Sequence, residues 1–309
     1  MEQVLKEALA AYGMDGAQAT LLRHNENATY HIAHGGSEHV LRIHAPRAGF
    51  ALEMFSVDRH GRGKLEGELS LLRALAEDGF FVQRPVENRM GESVTVLESG
   101  DCATMLTWLG GDAVREVTDD IARDAGRLAA RMRRSLVGRG DLVGIDRYFY
   151  DESLVDRLRA LLGKGDMEGA FGDGMEDMAL ALDAIEAHMA KLRKMEGSFG
   201  LIHADLSKGN LIQTKNGLAP IDFCLSGYGF YAQDAGGLVA DFGENRREAI
   251  LKGYADVAGS APDQRSVDSF VALGVLLCIG SHWRGAMRED WFLGALERWR
   301  RTLFRPLSA

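Results

Sequence analysis

The 309-residue chain is 46% apolar and carries 45 acidic against 36 basic residues, a net charge of −9 with a pI of about 5.5. That length and apolar content can fill one large core or two smaller ones. The acidic balance argues against a nucleic-acid partner, since phosphate backbones recruit Lys and Arg surfaces.

Cys102, Cys224 and Cys278 are odd in number and widely spaced, so neither a metal pattern nor a disulfide framework is expected, and a cytoplasmic, reducing location is. The most apolar run, Phe270 to Gly280, spans 11 residues and is too short to cross a bilayer. The opening Met-Glu-Gln-Val-Leu-Lys-Glu lacks the apolar segment of a signal peptide.

Residues 2–12 have the spacing of a short amphipathic helix, ended by Gly13. Thr20–His24, Tyr30–His34 and His39–Ala45 have strand character, and Gly35-Gly36-Ser37 is a hairpin signal between the last two. Asn25 to Thr29, rich in turn formers, joins the first two. Arg42 sits inside the third strand. From Leu65 to Ala76 apolar residues recur at 65, 69, 72, 75 and 76, a helical stripe on which Glu68 also falls. A carboxylate on an apolar face is costly unless paired with a cation; the plainer alternative is that Glu66 or Glu68 caps the helix N-terminus. Strands around Phe80–Val82 and Ser93–Glu98 should complete a small sheet.

Beyond Ala103–Gly111 the chain reads as mainly helical. Thr118 can N-cap a helix with apolar positions at Ile121, Ala125, Leu128, Ala129, Met132 and Leu136. Tyr148-Phe-Tyr to Leu162 reads as loop then helix, and five glycines in residues 163–174 predict an irregular segment. Residues 166–186 hold seven acids and no Lys or Arg. They form either a solvated helix face or the acid lining of a substrate cleft. Ala179–Lys194, Leu238–Phe242, Arg246–Tyr254, Ser266–Ile279 and Trp291–Phe304 should be helical.

The stretch from Phe199 to Asp222 carries the chemistry. Leu201-Ile202 and Leu211-Ile212 flank a polar loop with His203-x-Asp205-x-x-x-x-Asn210, and Pro220-Ile221 leads to Asp222. Short apolar runs bounded by turn residues read as buried strands, so one carboxylate sits in a loop and another at a strand end. Phosphoryl transfer by the kinase route uses such a set: an Asp for the hydroxyl proton, then an Asn and a second Asp for Mg²⁺. The spacing from Asp205 to Asn210 is that of the kinase H-R-D-x-x-x-x-N loop, with Ala204 in place of Arg.

His-Ala-Asp-Leu, Gly-Asn and Ile-Asp-Phe, followed by Gly227-Tyr-Gly-Phe-Tyr-Ala-Gln-Asp234, resemble the aminoglycoside phosphotransferase and choline kinase group, small-molecule relatives of protein kinases. Ser207-Lys208 departs from the usual His-Pro, and Phe-Cys follows Asp222 where protein kinases have Phe-Gly. The resemblance covers residues 20–110 and 199–256. It implies an α+β, protein-kinase-like two-lobed fold: a small antiparallel-sheet nucleotide-binding lobe over residues 1–104 and a larger, mainly helical catalytic and acceptor-binding lobe over 105–309. It also implies ATP and Mg²⁺, with Asp205 catalytic and Asn210 and Asp222 holding the metal.

The loop with Asn27 and Thr29 would lie over the ATP phosphates, in place of a Gly-rich loop or as a plain hairpin. Arg42 stands where kinases put a phosphate-binding lysine. It keeps the charge but changes the geometry; a strand Arg facing water is the alternative. An Arg42–Glu68 pair would account for both residues at once. Met105 and Trp108, near the interlobe passage, should wall the nucleotide site or pack in the core. His203 and Asp234 should support the loop structurally.

The function that the resemblance implies is ATP-dependent phosphorylation of a small hydroxyl-bearing metabolite, such as an amino alcohol or a homoserine- or choline-like compound. A stress-response-type bacterial Ser/Thr protein kinase shares the fold and is the alternative acceptor class. A nucleotide-binding pseudokinase is the alternative of another kind, and the intact Asp205, Asn210 and Asp222 argue against it. Neither a membrane nor a nucleic acid is an expected partner.

Overall fold

Gly35 and Gly36, at φ 59° and 82°, make the expected tight turn between strands β2 (Ala28–His34) and β3 (Ser37–His44). The computed structural model describes residues 2–24, 27–45, 61–163, 171–172, 174–286 and 290–308. With β1 (Gln18–His24), β4 (Pro85–Val86), β5 (Val94–Val96) and β6 (Cys102–Thr107), the hairpin builds a six-stranded antiparallel sheet in the order β1-β2-β3-β6-β4, with β5 also on β6.

Period-two alternation gives that sheet two apolar faces. Ala8 and Leu9 of helix α1 (Glu2–Ala11) pack with Tyr30, Ile32, Leu41, Ile43 and Met105 on one. Leu65, Leu69 and Leu72 of α2 (Arg62–Glu77) join Val40, Val94 and Leu106 on the other. The strand expected at Phe80–Val82 is absent. Phe80 and Val82 are buried, but the Val82 amide bonds the Phe80 carbonyl in a local turn, leaving it no ladder partner.

Residues 108–111 carry the chain out of the sheet to β7 (Asp112–Ala113), which pairs with β10 (Leu211–Thr214) beside β11 (Gly217–Pro220). Thr118 caps α3 (Asp119–Leu136) by accepting the Ile121 amide. Tyr148–Tyr150, expected as loop, is strand β8, parallel to β12 (Gly227–Phe230), which pairs on its other side with β9 (Phe199–Ile202). Around these lie α4 (Glu152–Leu162), α5 (Gly174–Leu192), α6 (Ala232–Phe242), α7 (Arg247–Ala258), α8 (Gln264–Ala286), α9 (Asp290–Trp299) and α10 (Arg305–Ser308). The arrangement is the expected one, a small antiparallel-sheet lobe and a larger, mainly helical lobe. Among the described residues no helix is long and apolar enough to cross a membrane.

Within the acidic stretch Glu176 and Asp183 are exposed, as on a solvated helix face, and three of the acids have arginine partners. Asp177 accepts Arg300 Nε at 2.6 Å and Arg305 Nε at 3.1 Å. Asp183 and Glu186 share Arg159 Nη2 at 2.9 and 2.8 Å. Glu176 is exposed, and Asp166, Glu168 and Asp173 lie outside the described residues. Burial works against the Asp177 charge, but the hydrogen bonds from Arg305 and Arg300 keep its carboxyl below the usual range. These acids tie α5 to α4 and to the C-terminal helices. Asp177→Asn is therefore expected to lower stability by about 1–3 kcal/mol. Thermal melts should show it, with no matching rise in the KM for an acceptor.

Candidate active site

β9 delivers the chain to His203 and then to Ala204, which is held at φ 65°. A non-glycine residue there needs support from its surroundings. Asp234, at the start of α6, supplies it by accepting the His203 amide at 3.1 Å and the Ala204 amide at 2.9 Å. Burial pushes the Asp234 carboxyl up to about 6, against the pull of those two amides, so it is ionised at neutral pH. His203 Nε2 lies 3.1 Å from the Ile221 carbonyl, and its Nδ1 accepts the Asp205 amide at 3.3 Å. Those partners require the neutral ring with the proton on Nε2, and burial pushes the His203 pKa down to about 4. Asp234 and His203 thus brace the loop.

The loop's payload is Asp205 with Asn210. The Asn210 side-chain amide donates to the Asp205 carbonyl at 2.9 Å and to its carboxylate Oδ2 at 2.8 Å. This fixes the Asp205 carboxylate and leaves the Asn210 carbonyl oxygen for another partner.

Asp222 follows β11 in the left-handed region, φ 62° and ψ 66°. Its Oδ2 accepts Arg23 Nη2 at 2.7 Å, and its Oδ1 is 3.9 Å from Arg42 Nη1. Burial raises its pKa, but the charge of Arg42, a hydrogen bond from the Cys224 thiol and the Arg23 pair outweigh that and hold the carboxyl below its ordinary value. Arg147, 2% exposed, pins the segment after Asp222. Its Nη2 donates to the Phe223 and Cys224 carbonyls at 2.9 and 2.7 Å, Nε to Ser226 at 2.8 Å, and Nη1 to Lys64 of α2 at 2.6 Å. Gly67 lets this junction close, since a Cβ there would lie 2.5 Å from the Asp146 carbonyl.

Arg42 and Glu68 meet at 2.6 Å, their side chains only 6% and 1% exposed. Each would otherwise be a buried, uncompensated charge. The cycle Arg42→Met, Glu68→Gln and the double variant is expected to show a coupling of about 1–3 kcal/mol in nucleotide affinity; additive losses would mean that the pair does not act as a unit. Asn27 is anchored through His44, whose Nδ1 lies 2.9 Å from the Asn27 carbonyl oxygen and whose Nε2 lies 3.0 Å from the Thr104 hydroxyl.

A cavity of about 370 Å³ between the lobes is lined by Asn27, Arg42, Asn210 and Asp222, whereas Asp205 and Glu68 are not among its lining residues. Leu22, Val40, Trp108, Leu109, Ile212 and Ile221 make its apolar walls, and Arg23, Asn27, Thr29, Arg42, Asn210 and Asp222 its polar end. Trp108 stacks edge-on against His31, with ring centroids 4.5 Å apart. Met105 does not reach the cavity: it pairs with Leu41 and Val86 and is buried beneath α1 on the opposite face of the sheet. A larger cavity of about 720 Å³, between α6, α8 and the C-terminal helices, contains none of these residues. Arg23 and Arg147 carried no signal in the sequence, because their partners lie 199 and 76 to 83 residues away.

The phosphotransferase enzyme family matches residues 18–270. Amicoumacin kinase of Bacillus subtilis (strain 168) is 24% identical over 241 residues, which are 75% of this chain and 66% of that protein. Among solved structures, a microcompartment-associated aminopropanol kinase superposes with a TM-score of 0.74 at 24% identity, covering 100% of this chain and 95% of its own. The amicoumacin kinase hAmiN, in complex with AMP-PNP, Ca²⁺ and Ami, gives 0.75 at 20% identity over 99% and 93%. Spectinomycin phosphotransferase APH(9)-Ia, with ADP and spectinomycin, gives 0.68 at 13% over 98% and 93%. With most of its length matched, and with the two-lobed fold those structures share, the chain belongs to the phosphotransferase enzyme family.

Proposed function

We propose that the protein is an ATP- and Mg²⁺-dependent kinase that phosphorylates a hydroxyl group of a small molecule. The observation that carries this reading is one interlobe cavity lined by Asp222, by Arg42, which Glu68 holds from behind, and by Asn210, whose side-chain amide holds the Asp205 carboxylate. Asp205 takes the acceptor's proton or orients the hydroxyl for in-line attack. Arg42, locked by Glu68, presents a fixed positive charge to the phosphates. Asn27, anchored by His44, and Thr29 border the phosphate end, while Val40, Trp108 and Ile221 wall the base.

The donor set fits a magnesium–nucleotide complex better than a free metal. Among the described residues no group of three or more His, Cys, Asp or Glu side chains could hold an ion. Asp222 and the Asn210 carbonyl oxygen are two hard donors. Mg²⁺ is ordinarily held by one or two carboxylates together with substrate phosphates, and bound there it would neutralise charge on the transferring group.

An amine-bearing hydroxyl compound is the acceptor class we favour. The names of the relatives support it: aminopropanol is an amino alcohol, and the phosphotransferase neighbours act on small molecules. The test is ATP consumption across amino alcohols, sugars, aminoglycosides and a generic protein substrate. Turnover with a small hydroxyl compound supports the reading. Phosphorylation of protein serine with no response to any small acceptor would replace it with the protein-kinase alternative.

A further inference from the structure

The side chain of Arg23 crosses from the sheet to Asp222, a contact between residues 199 positions apart. It is placed there by an irregularity in β1. The register with β2 slips between Leu21 and Arg23, so Leu22 is an extra residue in the ladder. In a regular strand consecutive side chains face opposite ways, yet Leu22 and Arg23 both line the cavity. A bulge re-aims side chains in this manner next to functional sites.

Arg23 Nη2 holds Asp222 Oδ2 at 2.7 Å, while Arg42 stays 3.9 Å from the other oxygen. The two arginines differ in burial. Arg42 is buried and fixed by Glu68, whereas the Arg23 side chain is 51% exposed. An ion pair with one half-exposed partner is weaker than one buried on both sides, although Asp222 itself is only 18% exposed. Asp222 Oδ2 is also an oxygen that a hard cation would use, and a guanidinium at 2.7 Å competes with a metal ion for its charge.

We infer that Arg23 is an exchangeable counter-ion. It occupies the Asp222 carboxylate until a metal–nucleotide complex binds, then releases it and turns to the polyphosphate. The inference rests on the phosphotransfer reading and adds to it a positioning residue that couples metal entry to nucleotide entry. Its consequence is that the metal alone binds poorly, because it must displace Arg23 with no phosphate present to receive the guanidinium.

Arg23→Gln tests this through two readouts of opposite sign. Mn²⁺ titrated alone, followed by water-proton relaxation, is expected to bind the variant about fivefold more tightly than the parent. AMP-PNP with Mg²⁺, measured by calorimetry, is expected to bind it about fivefold more weakly. Arg23→Lys, which keeps the charge, should stay near the parent in both. A position that merely stabilised the fold would weaken both ligands together. Equal Mn²⁺ affinity in Arg23→Gln and parent overturns the inference, and so does an AMP-PNP affinity that holds or rises. If the parent binds AMP-PNP and only the Mn²⁺ difference is missing, the kinase reading stands and the counter-ion role falls. If the parent binds no nucleotide, both fall.

Discussion

Asp205→Asn is expected to slow phosphoryl transfer by about 10²–10⁴-fold, the range of a lost general base, while nucleotide affinity stays close to that of the parent. The asymmetry follows from the site. Asn is nearly isosteric, and its side-chain carbonyl can still accept the Asn210 amide that meets Asp205 Oδ2 at 2.8 Å. The loop keeps its other supports, the Asp234 carboxylate on the His203 and Ala204 amides and His203 on the Ile221 carbonyl. What disappears is the negative charge that, in the proposed mechanism, attracts the hydroxyl proton. Single-turnover rates and AMP-PNP titrations on the same preparation separate the two effects. Near-normal turnover in the variant would take Asp205 out of the proton-handling role. An equal loss of rate and nucleotide affinity would mean that the substitution disturbed the loop.

The parts of this site that could be read from the sequence are those whose geometry is local or whose chemistry contradicts its setting. Asp205 and Asn210 are five residues apart and joined by two hydrogen bonds, so their spacing records their contact. Glu68 stood out because a carboxylate on the apolar stripe of a helix requires a cation, and Arg42 in a neighbouring strand met that need at 2.6 Å. The Gly35-Gly36 turn was likewise legible, because its positive φ values are a local demand.

Residues whose meaning depends on distant chain were not legible. Arg147 satisfies four carbonyls from two other segments, and an arginine before an aromatic run announces none of them. Asp177 looked unpaired because Arg300 and Arg305 lie more than 120 residues on. Met105 shows a subtler limit. Alternation assigns it a face of β6, but which face meets the cavity is settled by α1, which covers Met105 together with Leu41 and Ile43.

Asp222→Asn is expected to remove the metal dependence of nucleotide binding and to lower kcat/KM by about 10³-fold, the scale of losing one preorganised charge in an active site. Asparagine is the informative replacement. Residue 222 sits at φ 62° and ψ 66°, a region that Asn tolerates and that costs most other residues roughly 1–2 kcal/mol, so Asp222→Ala would mix backbone strain with lost charge. Arg147 should still hold the Phe223, Cys224 and Ser226 carbonyls in the variant, keeping the segment in place. Arg23 and Arg42 lose a shared counter-charge, but Arg42 retains Glu68. AMP-PNP should then bind with similar affinity with and without Mg²⁺, through Arg42 and Arg23, while the parent binds much more tightly when Mg²⁺ is present. If the variant responded to Mg²⁺ as the parent does, the metal would be held by other groups and Asp222 would serve only to position the two arginines.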